Sequence, residues 1–233
     1  MTLNILFICE GNAEVFLLYK ILREEFKIEI EEKILTNDGN LNMKEIKQFT
    51  FLGKVNNNNI YIGNISGVKN LNSVYLTELI ENSQFYKLDK ILFIMDADYG
   101  ENNESGFTRM EKSITDIIKK IQEIKNIKTA YFISPNNRDD GMIENLLIEA
   151  MKCKKIKEYI KEEVVPNIRK MEDCEITKFS ESKSIFMMIA ATQSPMKGNA
   201  GSFITDCYKK LDKDNEYFKG IKNFISKAIQ NDS

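Results

Sequence analysis

The stretch "LNILFICEGNAEVFLLYKILREEF", residues 3–26, changes its hydrophobic period once, and that change decides the fold. Residues 3–9 form a short apolar run, which reads as a buried strand bounded by the turn-like "EGN" of residues 10–12. Beyond the turn, Val15, Leu18, Leu22 and Phe26 recur at helical spacing. A strand, a turn and a helix in immediate succession open a βαβ unit, whose strands lie parallel.

The alternation continues along the chain. "IEIEEKIL" (28–35) alternates apolar and charged residues as a half-exposed strand does, and "IYIGNISGV" (60–68) reads as a further strand. Between them the asparagine run 56–59 reads as a solvated loop tip. "LNSVYLTELIENSQFY" (71–86) is helical, "KILFIMDAD" (90–98) a strand, and "GFTRMEKSITDIIKKIQEI" (106–124) a helix. "KTAYFISP" (128–135) is a strand ending at Pro135, and "MIENLLIEAMKCKKIKEYIKEEV" (142–164) is one long helix. Strands separated by helices specify an α/β fold: a mostly parallel sheet with helices on both faces, in Rossmann-type layering. From about Pro166 the pattern is mainly helical, with no Gly/Ser-rich linker and no internal repeat. Residues 151–233 are therefore expected as a helical extension packed on a core of residues 1–150, in a single compact unit.

Composition excludes several function classes. A chain of 233 residues, 42% apolar and 29% charged, can bury one sizeable core and is not disordered. Its formal net charge of −2 gives no global positive field, so any polyanion must be held by a local patch or through a metal. Cys9, Cys153, Cys174 and Cys207 form no C-x-x-C pair, which fits reduced thiols in the cytoplasm better than a zinc knuckle. No basic leader precedes the first strand and no apolar run approaches about 18 residues, so a soluble protein with no membrane partner is expected. There is no histidine, which removes Ser-His-Asp and Cys-His devices and histidine metal ligands together. Carboxylates, lysines, hydroxyls, thiols and hard metal ions remain.

In an open parallel sheet, function concentrates beyond the carboxyl ends of the strands. Three acidic features fall there: Glu10 with Glu14 one helical turn on, Asp96 and Asp98 ending a central strand, and Glu144 opening the helix after "YFISP". In extended backbone Asp96 and Asp98 share a face, where two like charges need a proton or a cation between them. Taken singly, each feature has a structural explanation. A glutamate at a helix start interacts well with the helix dipole, "DAD" can form an Asx cap, and Gly11 can serve a tight turn. None of these predicts the joint order. Asp139 and Asp140 read as loop residues, the lysines of 152–163 as a solvated helix face, and Cys9 as buried packing.

The ordered set "ILFICEGNAEVFLLYKIL", "ILFIMDADYG" and "FISPNNRDDGMIENLLIEAM" resembles the Toprim fold of topoisomerases, primases and OLD-type nucleases. Within it, the sequence is most similar to a small stand-alone Toprim-related group allied to the OLD nucleases. The family pattern is met by Glu10, Gly11 and Glu14, then Asp96 and Asp98, then Gly141 and Glu144. The resemblance covers roughly residues 3–150, and "ESKSIFMMIAATQSP" extends it more weakly. It implies a Mg2+- or Mn2+-dependent phosphodiester hydrolase acting on DNA or RNA, in defence or mobile-element biology. Glu10, Asp96 and Asp98 would hold one cation, with Glu14 and Glu144 shaping or sharing a second position. Lys183 would reach the phosphate, or else lie as a surface lysine on an amphipathic helix. With no basic surface, such a nuclease needs an ATPase partner or a homodimer to hold its substrate. A Toprim scaffold that binds metal, nucleotide or a partner without efficient turnover is the alternative. A phosphohydrolase of the haloacid dehalogenase kind also begins from D-x-D, but it leaves Glu10 unexplained and meets Gly100 where it wants Thr or Val.

Overall fold

Strands β1 (Asn4–Cys9), β2 (Glu29–Ile30), β3 (Thr50–Val55), β4 (Asn58–Asn64), β5 (Lys90–Asp96) and β6 (Lys128–Ser134) form one sheet in the order β2-β3-β4-β1-β5-β6. The computed structural model describes residues 2–47, 49–67, 76–82, 84–100, 104–177 and 180–230. Strands β4, β1, β5 and β6 run parallel, while β2 and β3 add an antiparallel edge. The protein is thus an α/β protein with a mostly parallel sheet.

Alternation in β1 sends its side chains to two cores. Ile5, Phe7 and Cys9 pack beneath helices α1 (Asn12–Glu25), α4 (Ile143–Ala150), α7 (Glu181–Ala191), α8 (Ala200–Cys207) and α9 (Glu216–Ile229). Leu6 and Ile8 face α2 (Leu76–Glu81) and α3 (Gly106–Ile124), where Met110, Ile114, Ile117 and Ile121 supply the apolar stripe. At roughly 1.5–3 kcal/mol per fully buried aliphatic side chain, both layers hold the sheet between them. Ser105, Asn199 and Asn215 cap α3, α8 and α9 by accepting backbone N–H groups of the first turn.

Several expectations are corrected by tertiary context. The alternating segment 28–35 is strand only at Glu29–Ile30 and then turns through a short 3-10 helix, Glu32–Ile34, that buries Ile34. The strand Thr50–Val55 was not anticipated. It pairs with β4 through a hairpin whose corner is Asn56 and Asn57, both in the left-handed region at φ 50° and 65°. Asparagine tolerates that conformation, as a tight hairpin requires. The asparagine run is therefore not a loop tip throughout, because Asn58 and Asn59 already belong to β4. The long helix 142–164 is broken at 151–153. There Met151 bridges Leu211, and Lys152 N–H donates to Lys210 O at 3.0 Å. Helix α5 (Lys154–Tyr159) resumes and widens into a π turn, Ile160–Val164, just ahead of α6 (Val165–Ile168), whose Pro166 has no N–H to give the helical ladder. Of the helix read over 71–86, residues 71–75 and 83 lie outside the described residues; Leu76–Glu81 is helical, and Phe85–Lys87 is a short 3-10 turn rather than its continuation. Among the described residues no helix is long and apolar enough to cross a membrane.

The C-terminal helices are bonded to the sheet as well as packed on it. Asn58 is fully buried; its Oδ1 accepts Leu3 N–H at 3.0 Å and its Nδ2 donates to Ile229 O at 2.8 Å. Lys90 Nζ donates to Ala228 O at 3.1 Å and Gln230 O at 2.9 Å, closing the carbonyl end of α9. At the end of α1, Glu25 pairs with Lys222 at 3.0 Å and with Lys213. Asn58→Ala leaves a buried donor and a buried acceptor unpaired, so a loss of about 2–4 kcal/mol is expected in urea denaturation. A loss below about 1 kcal/mol would show that water replaces the amide there.

Candidate metal centre

Each acidic segment is placed by backbone contacts at the carboxyl end of the sheet. Glu10 follows β1 and keeps register with β5, since its N–H donates to Ile94 O at 3.1 Å. Its carboxylate Oε2 accepts Asp96 N–H at 3.0 Å. Asp96 ends β5, and its Oδ1 accepts Ile143 N–H at 2.8 Å, at the start of α4. Glu14, only 3% exposed, turns back to accept Gly11 N–H through Oε2 at 2.9 Å. The tight-turn explanation for Gly11 does not hold. Its φ of −149° and ψ of −173° are extended backbone that any residue adopts. What the missing side chain supplies is space, because a Cβ there would lie 3.1 Å from Glu14 Oε2.

Strand alternation does not carry Asp98 to the site. Pairing with β6 ends at Asp96, and Asp98 sits in the left-handed region at φ 58°. It exchanges two backbone hydrogen bonds with Gly141, both at 2.8 Å, which joins the D-x-D segment to the segment that carries Glu144. Gly141 has φ 139°, and a Cβ on it would meet Asn145 Oδ1 at 2.8 Å. Here the glycine is required for both conformation and space.

The five carboxylates share one electrostatic environment. Burial pushes Glu14 up to about 7, with Glu10 and Glu144 adding to the push against two backbone hydrogen bonds. Asp96 keeps part of its surface accessible but is densely surrounded. Burial first, then Glu14, Glu10, Glu144 and Asp98, raise it well above the usual carboxylate range. Glu144, half-buried in the first turn of α4, is raised by burial and by Asp98, while Lys183 opposes the shift. The structure thus brings Glu10, Glu14, Asp96, Asp98 and Glu144 together, and it places Lys183, exposed on α7, within electrostatic reach of Glu144. Among the described residues no three acidic or thiol groups stand at metal-ligating spacing. Glu10, Glu14 and Asp96 each have an oxygen on a backbone N–H instead. The donor chemistry, carboxylates without thiolate or imidazole, fits a hard divalent cation such as Mg2+ or Mn2+. Cys9 is fully buried, and burial together with Glu14 raises its thiol, so it packs and does not ligate.

Sequence reasoning missed the polar frame around the carboxylates. Tyr99 Oη meets Ser182 Oγ and donates to Asn145 Oδ1 at 3.3 Å, and Asn145 Nδ2 donates to Ser182 Oγ at 2.8 Å. This triad ties the loop after β5 to the starts of α4 and α7, and so sets where Lys183 can reach. "ESKS" drew attention to its lysine, whereas the buried neighbour Ser182 does the anchoring. Asp140, read as a loop residue, accepts Gly100 N–H at 2.9 Å and Phe107 N–H at 3.0 Å, clamping that loop to α3. Both aspartates lie in the loop between β6 and α4, as the sequence implies; Asp139 is exposed there and pairs with Arg138.

Glu144 lies on the wall of an open groove of about 670 Å3, lined also by Asn12, Asn40, Asn199 and Ser202. A larger cavity of about 750 Å3 lies at the opposite edge, where the strands begin. Two of its lysines serve the fold: Lys90 bonds the end of α9, and Lys125 Nζ donates to Tyr86 O at 2.8 Å and to Leu88 O.

No curated protein matches this chain. A crystal structure of a hypothetical protein from Pyrococcus horikoshii OT3 superposes with a TM-score of 0.54 at 11% identity, covering 97% of this chain and 95% of that one, a likeness of fold alone. The family model described as "Protein of unknown function (DUF3226)" matches residues 4–230.

Proposed function

We propose that this chain, which belongs to the DUF3226 family, is a divalent-metal-dependent phosphodiester hydrolase of the Toprim and OLD type, acting on DNA or RNA in the cytoplasm. The observation that carries the reading is the convergence of five carboxylates, from three separate strand ends, in one shared electrostatic field without histidine. Glu10, Asp96 and Asp98 are the residues to hold a Mg2+ or Mn2+ ion, with Glu14 and Glu144 shaping or sharing a second position. When bound, such an ion supplies Lewis acidity and neutralises charge on the phosphate. The chain's own residues do the rest. Lys183 offers positive charge to the phosphate, the Tyr99–Asn145–Ser182 triad fixes the helix that carries it, and the groove beside Glu144 gives the substrate a way in. Because the net charge is −2, substrate capture falls to an ATPase partner or a homodimer.

A second reading, a scaffold that binds metal or nucleotide without efficient turnover, is favoured by the backbone amides that already occupy oxygens of Glu10, Glu14 and Asp96. Labelled single- and double-stranded DNA and RNA, incubated with the protein in Mg2+, Mn2+ or EDTA, separate the two. Cleavage that needs the metal and falls by more than about 100-fold in Glu10→Gln is expected. Metal binding without cleavage of any of the four substrates would favour the scaffold.

A further inference from the structure

Ser134 closes β6 directly beside Asp96, its partner in the parallel register. Residues two apart on a strand share a face, so Ser134 leaves the sheet on the same side as Phe132, toward α1 and α4 and the carboxylates. It is fully buried. Its backbone is spent, with the carbonyl accepting Ala97 N–H at 3.1 Å, but its Oγ has no hydrogen-bond partner, the one buried side-chain oxygen or nitrogen in that condition among the described residues. Buried hydroxyls in native proteins are almost always bonded, and one left unpaired beside an acidic cluster needs a reason. Alanine would fill the position without a desolvation cost, so packing does not supply that reason.

We propose that Ser134 is a positioning residue of the cation site, its Oγ serving as hydrogen-bond partner to a water in the hydration shell of a hard divalent ion held beside Asp96. The inference rests on the metal reading above. Mg2+ and Mn2+ give up their waters reluctantly, and those waters need protein partners. A serine hydroxyl can donate as well as accept, which suits a place already crowded with acceptor-only carboxylates. Losing such a partner typically costs 10- to 100-fold in metal affinity, that is roughly tenfold or more here.

The test is a calorimetric Mn2+ titration of the wild-type protein and Ser134→Ala, with the melting temperature of each in EDTA and the water-proton relaxation of each Mn2+ complex. Binding about tenfold weaker, a changed relaxation enhancement, and an unchanged or raised melting temperature are expected together. Equal Mn2+ affinity in the two proteins would overturn the role of Ser134 and leave the metal reading standing. Weaker binding accompanied by a clear fall in melting temperature would make Ser134 a packing residue and overturn the inference. Absence of Mn2+ binding by the wild-type protein would overturn both.

Discussion

Asp96→Asn is expected to raise the melting temperature of the metal-free protein at pH 8 and, in the same variant, to abolish Mn2+-dependent cleavage. Asp96 is densely surrounded and faces Glu14, Glu10, Glu144 and Asp98, so its ionised form is held against both desolvation and repulsion. Asparagine removes the charge and keeps an oxygen to accept Ile143 N–H, the bond that seats α4. After allowance for the part of Asp96 open to solvent, relief of about 1–2 kcal/mol is expected. That corresponds to roughly 2–8 °C for a chain of this size. Cleavage should fall by more than about 100-fold, since the residue shared by two neighbouring acidic segments is lost. A lower melting temperature would make Asp96 a structural acceptor and undo its assignment. Asp98→Asn should likewise lose metal binding while the fold stays intact, because the two bonds to Gly141 that hold the loop are made by the backbone of Asp98.

Metal-free stability should fall as pH rises from about 5 to 8. Glu14 has an ordinary value of 4.5 and reaches about 7 in the fold, so the folded chain holds that proton more tightly than the unfolded chain does. The stability this confers is complete below the unfolded value, declines as pH climbs toward 7, and is gone above it. For Glu14 alone the span is on the order of 3 kcal/mol, and Asp96 and Glu144 shift in the same direction. The ion-paired carboxylates act oppositely and elsewhere. Glu25 and Glu149 are pushed up by burial but held below the usual range by Lys213 and Lys222 and by Lys161 and Lys157, so their contribution is lost only in more acid solution. Melting curves in EDTA at pH 5, 6, 7 and 8 would show the decline, and saturating Mn2+ should flatten it by taking the place of the protons. A flat or rising profile in EDTA would mean that the cluster is solvated.

The parts of the fold that follow from local period were legible in the sequence. The apolar runs of β1, β5 and β6 and the spacing of α1 and α3 identify a parallel α/β sheet without further information. What escaped depends on pairing rather than on hydrophobic period. The strand 50–55 exists because the Asn56–Asn57 corner folds it onto β4, and the break at 151–153 exists because Met151 finds Leu211. Leu211 lies far from Met151 in the chain, and although β4 follows the corner directly, the asparagine run carries no apolar alternation to mark it as a strand start. At the candidate site, residue types and order pointed to five carboxylates, and the fold does gather them. The means differ from the alternation argument, since Asp98 arrives through a left-handed residue stitched to Gly141. Neutral residues such as Asn145, Ser182 and Ser134 carry no charge pattern, and their roles follow only from burial and register.

The most direct measurement is a Mn2+ titration by calorimetry of the wild-type protein beside the double variant Asp96→Asn/Asp98→Asn, repeated with a non-cleavable phosphodiester present. Saturable binding in the wild type that disappears in the folded double variant is the predicted result. Binding of equal strength in both proteins, or none by the wild type even with the phosphodiester present, would contradict the assignment of these carboxylates to a cation site.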